Sequence, residues 1–160
     1  MTTWTRELLT SLRPVLRKNG HTVSVECDPN VMVDTYPGAL AQVLTNMIMN
    51  SVIHAYPSDT AGRLALHISQ PAPETVRIVF SDDGRGIDPV ALGKIFDPFY
   101  TTARNRGNTG LGLHIAYNLV SSVLQGRLEV KSSPGRGTQF TITMPKRLAE
   151  SANDSPLVPA

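Results

Sequence analysis

The chain has 160 residues, a length that suits one domain with a sizeable core and leaves little room for a second. Its 15 Lys and Arg against 13 Asp and Glu, with no long basic stripe, argue against a general nucleic-acid scaffold. A lone cysteine, Cys27, excludes an intrachain disulfide and makes a cysteine-based zinc site a poor reading. The opening "MTTWTRELLTSLRP" lacks the apolar block of a secretory signal, and no later apolar run is long enough to span a bilayer. The expectation is a soluble, cytoplasmic domain that does not itself span a membrane, with the anchorage of any longer parent left open.

Trp4, Leu8, Leu9, Leu12, Val15 and Leu16 recur at helical spacing and predict an amphipathic helix over 4–18, ending near Asn19-Gly20, with Pro14 as its weak point. "HTVSVEC" (21–27) and "VMVDTY" (31–36) alternate and predict two strands around the turn Asp28-Pro29-Asn30. Pro37 opens a second helix reaching residue 55, with Leu40, Val43, Leu44, Met47, Ile48 and Ser51 facing inward. "GRLALHIS" and "TVRIVFSD" predict two more strands joined by "QPAPE", whose prolines oppose continuation of either ladder. Between 86 and 110 the periodicity breaks, apart from a short helix over 89–94. A helix over 111–124 follows, then a hairpin of "GRLEVKSS" and "TQFTITMP" through "PGRG". Residues 148–160 read as a frayed tail, leaving 1–147 as the domain. This order favours an α/β two-layer sandwich: a mixed, mostly antiparallel sheet covered on one face by helices.

"QVLTNMIMNSVIHAY" sets Asn46, Asn50 and His54 four apart, on one helix face beside the apolar stripe. Amides in register on a mostly apolar helix carry a propensity and desolvation penalty, so they ask for partners. Two readings stand side by side. The amides cap neighbouring loops at the core edge, or an amide oxygen helps hold a hard cation while its neighbours approach phosphate. Asp82 closes its strand and precedes Asp83-Gly84-Arg85-Gly86. A carboxylate fixed there can accept from an amino group while Gly84 and Gly86 let the chain turn beneath a flat ring, and the same letters suit an ordinary strand exit. "GNTGLGL" leads into a helix whose exposed amides and positive end favour phosphate, a signal that is weak in isolation.

In their order these segments resemble the C-terminal catalytic and ATP-binding domain of sensor histidine kinases, within the superfamily shared with gyrase, Hsp90 and MutL ATPases. The resemblance runs over about residues 4–145. Asn46 and Asn50 match the asparagine box, and Asp82, Gly84 and Gly86 the first glycine box. "IFDPFYTT" matches the phenylalanine box, "GNTGLGL" the second glycine box, and "SSPGRGTQFTITMP" the terminal hairpin. The resemblance implies a Bergerat-type fold with ATP and Mg²⁺ as its cofactors. It implies that Asn50 binds Mg²⁺ through its side-chain oxygen and that Asn46 contacts phosphate or the magnesium shell. Asp82 would accept from the adenine amino group, Gly84, Gly86 and Ile87 would shape the adenine cleft, and Thr138 would back Asp82 or a bridging water. Phe96 and Phe99 would anchor a mobile lid. Gly107, Thr109, Gly110, Leu111, Gly112 and Leu113 would lie along the nucleotide, with Gly110 and Gly112 as hinge and phosphate amides. Arg104 and Arg106 are candidates to neutralise the γ-phosphate, beside the reading of solvated loop charges. His54 resembles the histidine of a subset of the family that approaches phosphate, beside a packed or capping role.

The implied activity is that of an ATP-dependent protein histidine kinase catalytic domain. It would donate the γ-phosphate to a histidine on a separate dimerisation domain of a homodimeric parent, with a response regulator downstream. His21, His67 and His114 lack the dimerisation-helix context of a phosphoacceptor. Two departures concern charge on the phosphates: Ile53 stands where many members carry a basic residue, and Ala103 then Arg104 follow "FYTT" where lysine is frequent. One alternative is an ATPase of the gyrase, Hsp90 or MutL type, which usually places a glutamate general base where this chain has Asn46. The other is a non-catalytic interaction module, against which the intact Asn50, Asp82 and both glycine boxes count.

Overall fold

The computed structural model describes residues 1–102 and 108–149. Helix α1 (Thr2–Lys18) contains Pro14 in its interior. The helix survives the lost donor because Trp4, Leu8, Leu12 and Leu16 pack against the core. It stops in a Schellman turn: Gly20 takes φ +71, its N–H donates to the Arg17 carbonyl, and the His21 N–H donates to the Leu16 carbonyl. Strand β1 (Thr22–Cys27) follows. Helix α2 (Pro37–His54) opens with Pro37 in its first turn and buries Leu40, Val43, Leu44, Met47, Ile48 and Ser51. As the crossover between β1 and strand β2 (Arg63–Ala72), it makes the two parallel.

The expected strand over 31–36 does not form. Asp34 makes one isolated bridge to Arg147, and the remainder is a crossing segment that buries Val31 and exposes Tyr36. Its alternation is real, yet it records a chain passing over the core rather than a ladder, because no strand among the described residues runs beside it beyond the single Asp34–Arg147 bridge.

Strand β3 (Thr75–Asp82) pairs antiparallel with β2 and with β5 (Thr138–Pro145), which pairs antiparallel with β4 (Arg127–Ser132). The five-stranded order is β1-β2-β3-β5-β4. Contrary to expectation, β2 runs through Pro71, with a register irregularity between Ser69 and Ala72. β1 ends at Cys27 opposite Ile68, so beyond that point β2 is an edge and Pro71 owes no donor to a neighbour. Leu66, Ile68, Ile78, Phe80, Phe140 and Ile142 alternate onto the buried face, where α2 and helix α4 (Gly112–Asn118) cover them. The sheet is thus mixed and flanked by helices on one face, the Bergerat-type arrangement.

The short helix α3 (Pro89–Leu92) is capped by Asp88, whose side chain accepts from the Val90 and Ala91 N–H groups. α4 passes into a π-helical turn at Leu119–Val123, so the helix expected over 111–124 is present with a widened end. The expected tail over 148–160 lies outside the described residues from 150 onward. Leu148 donates to the Asp34 carbonyl, and Ala149 is bonded to the Gln125 side chain. Among the described residues no helix is long and apolar enough to cross a membrane.

Candidate functional site

Asp82 ends β3 opposite Thr138 at the start of β5, which carries its carboxylate into the layer between sheet and helices at 8% exposure. Oδ2 accepts from the Ser51 hydroxyl at 2.7 Å. Oδ1 accepts from the Gly84 N–H at 3.0 Å and the Thr138 N–H at 3.2 Å. Burial raises the pKa of this carboxyl, against the pull of those three hydrogen bonds. An ionised carboxylate has about four acceptor sites, so Oδ2 keeps capacity toward the cavity it lines. Beside it, Ser132 Oγ accepts from the Ile87 N–H and donates to the Gly137 carbonyl, which leaves the Thr138 hydroxyl to donate to Ser132 and accept from elsewhere.

The turn after Asp82 is wedged between two walls. The Arg85 N–H donates to the Ala55 carbonyl at the end of α2, and the Arg85 carbonyl accepts from Gly135 in the β4–β5 loop, each at 2.8 Å. A Cβ on Gly84 would sit 2.5 Å from Ala55 Cβ, and one on Gly86, at φ +72, would collide with the Ser133 carbonyl. Behind the turn, Asp83 accepts from the Tyr56 hydroxyl at 2.9 Å and the Arg63 N–H at 2.8 Å. The Arg63 hydrogen bond, more than any other partner, lowers the Asp83 pKa, while burial raises that of Tyr56. The His21 ring lies 4.7 Å from that of Tyr56, and its Nδ1 accepts from the Gly62 N–H at 2.9 Å.

On α2 the three polar residues differ in their commitments. Asn46 Nδ2 donates to the Gly112 carbonyl at 2.8 Å and Oδ1 accepts from Gln42, so this amide pins the start of α4. One turn on, the Asn50 side chain makes no hydrogen bond among the described residues and lines the cavity beside it. His54 Nε2 accepts from the Asn108 amide at 2.7 Å, which leaves Nδ1–H to donate to the Thr102 hydroxyl at 3.0 Å. His54 therefore touches chain on both sides of the segment 103–107.

Two adjoining cavities result. One, of about 510 Å³, has Asp82, Gly86, Ile87, Ile95, Leu113 and Thr138 among its walls. The other, of about 230 Å³, lies between Asn46, Asn50 and His54 on α2 and Asn108, Thr109, Gly110 and Gly112 opposite. Asn50, His54, Ile95, Tyr100 and Leu113 belong to both. Gly84 is tucked against Ala55, and Leu111 is half-buried just ahead of α4. Phe96 packs under the site, with ring centroids 5.2 Å from Tyr117 and 6.4 Å from Phe140, whereas Phe99 stands 62% exposed at φ +64. Gly110 presses on the Phe99–Tyr100 backbone. Arg104, Arg106 and Gly107 lie outside the described residues. Among those described, no group of three His, Cys, Asp or Glu could hold a metal, so a cation here would have fewer protein ligands than a dedicated cage supplies.

The model of the histidine kinase-, DNA gyrase B- and HSP90-like ATPases matches residues 35–148. The chain belongs to that ATPase family. Within it, the chain is 36% identical over 151 residues to the autoinducer 2 sensor kinase/phosphatase LuxQ of Vibrio harveyi, covering 88% of this chain and 17% of LuxQ. It is 35% identical over 125 residues to the sensor histidine kinase RcsC of Escherichia coli K12, covering 76% of this chain and 12% of RcsC. This member of the ATPase family thus spans less than a fifth of either relative. Its fold matches the catalytic domain of the histidine kinase ThkA at TM-score 0.76 and 25% identity, covering 92% of this chain and 95% of that one. The mycobacterial sensor histidine kinase MprB matches at TM-score 0.72 and 25% identity, covering 91% and 95%.

The sequence did not disclose the Ser51 hydroxyl on Asp82, the Asp83–Tyr56 pair behind the turn, or the Asn108 amide on His54. Ser51 had a signal, a hydroxyl in the apolar stripe of α2. The other two are long-range pairs, and nothing local marks them.

Proposed function

We propose that the chain binds ATP with Mg²⁺ and presents the γ-phosphate to a histidine on a separate dimerisation domain of a longer, homodimeric kinase, which passes phosphate to a response regulator. The observation that carries this reading is the joined cavity pair, with a buried, partly unfilled carboxylate at one end and the unbonded Asn50 amide in the shared wall. The larger cavity suits a base, with Asp82 Oδ2 accepting from the adenine amino group and Gly86, Ile87 and Leu113 against the ring. The smaller, polar cavity suits phosphates. The donor set fits a cation that is held through one or two protein oxygens, substrate phosphates and water, as Mg²⁺ is, with Asn50 Oδ1 as the protein ligand.

Bound Mg²⁺ supplies neutralisation of phosphate charge. This chain's own residues orient the nucleotide: Asp82 and Thr138 fix the base, Asn46 holds the α4 amides in place at Gly112, and Gly110 lets the chain turn beside Thr109. His54 positions the chain around Thr102 and Asn108, and either Arg104 or Arg106, both outside the described residues, is a candidate phosphate partner. Rate enhancement then rests on alignment. A water-activating ATPase is disfavoured because Asn46 occupies the usual glutamate position and no carboxylate lines the smaller cavity among the described residues. Relatives named as sensor kinases support a role as one domain of a larger signalling protein, which we place in the cytoplasm.

Calorimetric titration with ATP tests the reading. Binding should depend on Mg²⁺, and Asn50→Ala should remove most of that dependence while the melting temperature holds. With the cognate dimerisation domain added, label from ATP should appear there as an acid-labile phosphate. Steady hydrolysis with no labelled partner would transfer the chain to the ATPase class.

A further inference from the structure

On the far side of the sheet from β4, a groove of about 640 Å³ separates α1 from β1. β1 is the sheet's outer strand and has no partner on its free side among the described residues. The Thr22 and Asp28 N–H groups point inward, to the Gly62 and Ile68 carbonyls. Strand alternation therefore aims the backbone groups of Val23, Val25 and Cys27 outward. The same three side chains floor the groove with Leu9 and Leu16, and Val25 is 39% exposed.

The rim is cationic. Arg6, Arg13 and Arg17 line the groove from α1, all three exposed, with Arg13 and Arg17 one turn apart in a repulsive pair. Neither ion pair among the described residues involves them, and Glu7, the one acid of α1, does not line the groove. Glu26 points to the opposite sheet face, where it meets His67 at 3.2 Å. An unpaired strand edge, an apolar floor and an arginine rim without acids thus share one groove.

We propose that this groove docks an extended acidic segment of a partner polypeptide, which adds a strand to β1 and pairs carboxylates with Arg6, Arg13 and Arg17. The spacing suits a strand. Arg6 to Arg13 and Arg13 to Arg17 span about 10 and 6 Å along the helix, approached by four and two strand residues, about 13 and 7 Å, with the long arginine side chains taking up the difference. An anionic membrane surface could satisfy the arginines but not the alternating donors and acceptors of the β1 edge, so the backbone geometry selects polypeptide.

The test uses the whole chain and a capped peptide, Glu-Thr-Ile-Thr-Glu-Thr-Glu, with a control carrying Lys at each Glu. Saturating acidic peptide should slow amide exchange at Val23, Val25 and Cys27 by at least about tenfold, and the Lys control should not. Arg13→Glu with Arg17→Glu should weaken binding by at least about tenfold and favour the Lys peptide. If that variant melts early, Arg13→Gln with Arg17→Gln takes its place and should weaken binding without reversing it. The proposal is overturned if the peptide does not bind, if its resonance shifts fall on Asp82–Gly86 rather than β1, or if binding survives loss of the arginines. It is equally overturned if only phosphatidylserine vesicles bind.

Discussion

The two ends of the cleft are built differently. At the Asp82 end the chain is held by backbone: β3 against β5, Arg85 stitched to Ala55 and Gly135, and glycines at 84, 86 and 137 where no Cβ fits. At the Asn46 end, apart from Gly110 against the Phe99–Tyr100 backbone, it is held by side chains, through Asn46 on Gly112 and through His54 on Thr102 and Asn108. A Cβ on Gly112 would meet nothing nearer than Asn46 at 3.8 Å. Backbone contacts at van der Waals limits fix one shape, whereas side-chain hydrogen bonds can be exchanged for others at about 1 kcal/mol each. A rigid end is suited to reading a flat, invariant group, and an exchangeable one to a group that must arrive and leave.

The contrast predicts a ranking of effects. Gly86→Ala should be the most damaging, because it adds both positive-φ strain and a collision with the Ser133 carbonyl. A loss of about 3 kcal/mol in urea denaturation is expected, and a loss below about 1 kcal/mol would show that the Asp82 end gives way after all. Asp82→Asn comes next in effect on ligand. It should weaken adenosine nucleotides by ten- to a hundredfold, about 1.5–3 kcal/mol, and leave inorganic triphosphate untouched. Equal losses for both ligands would remove Asp82 from the base. The same variant should melt no earlier than the parent protein. Burial raises the folded-state pKa of Asp82, so the ionised carboxylate detracts from stability above that pKa, and the penalty fades as pH falls.

A smaller effect comes from acid. Burial lowers the His21 pKa below its ordinary 6.5, and its Nδ1 must stay unprotonated to accept from Gly62. The His21 contribution is therefore complete above pH 6.5 and declines as pH falls toward the lower folded value. Exchange at the Gly62 amide, corrected for intrinsic rate, should accelerate over that window in the parent protein and not in His21→Gln. The least consequential change should be Gly112→Ala, whose Cβ meets Asn46 only at ordinary van der Waals distance. It should hold stability within about 1 kcal/mol, on the favourable side, because alanine is the better helix former. If titration shows ATP affinity falling as far as in Asp82→Asn, the exchangeable end is less tolerant than its geometry implies.

Much of this architecture could be read from periodicity. α1, α2 and the ladders at 63–69, 75–82 and 138–145 carry patterns that match the burial seen here, since each packs one face on a shared core. Residues 31–36 alternate just as well, but alternation reports which side chains are buried and not whether a strand lies alongside. The run of β2 through Pro71 hinged on where β1 stops, a fact stored forty residues away. In the site, Asp82 and the glycines were marked by local chemistry, whereas the Asn46 partner at Gly112 and the Asn108 amide on His54 join segments that only the fold brings together.

The pairing of Asp82 with Thr138 closes a loop of 56 residues that contains α3, the segment 103–107 and α4. Because the entropy of closing such a loop grows only with the logarithm of its length, ten residues added between Thr102 and Asn108 would raise the closure term by about 0.15 kcal/mol. Tightness at the Asp82 end is thus decoupled from chain length between Thr102 and Asn108. Variation can lengthen, shorten or recharge the chain between Thr102 and Asn108 at almost no thermodynamic expense to the β3–β5 pair at Asp82.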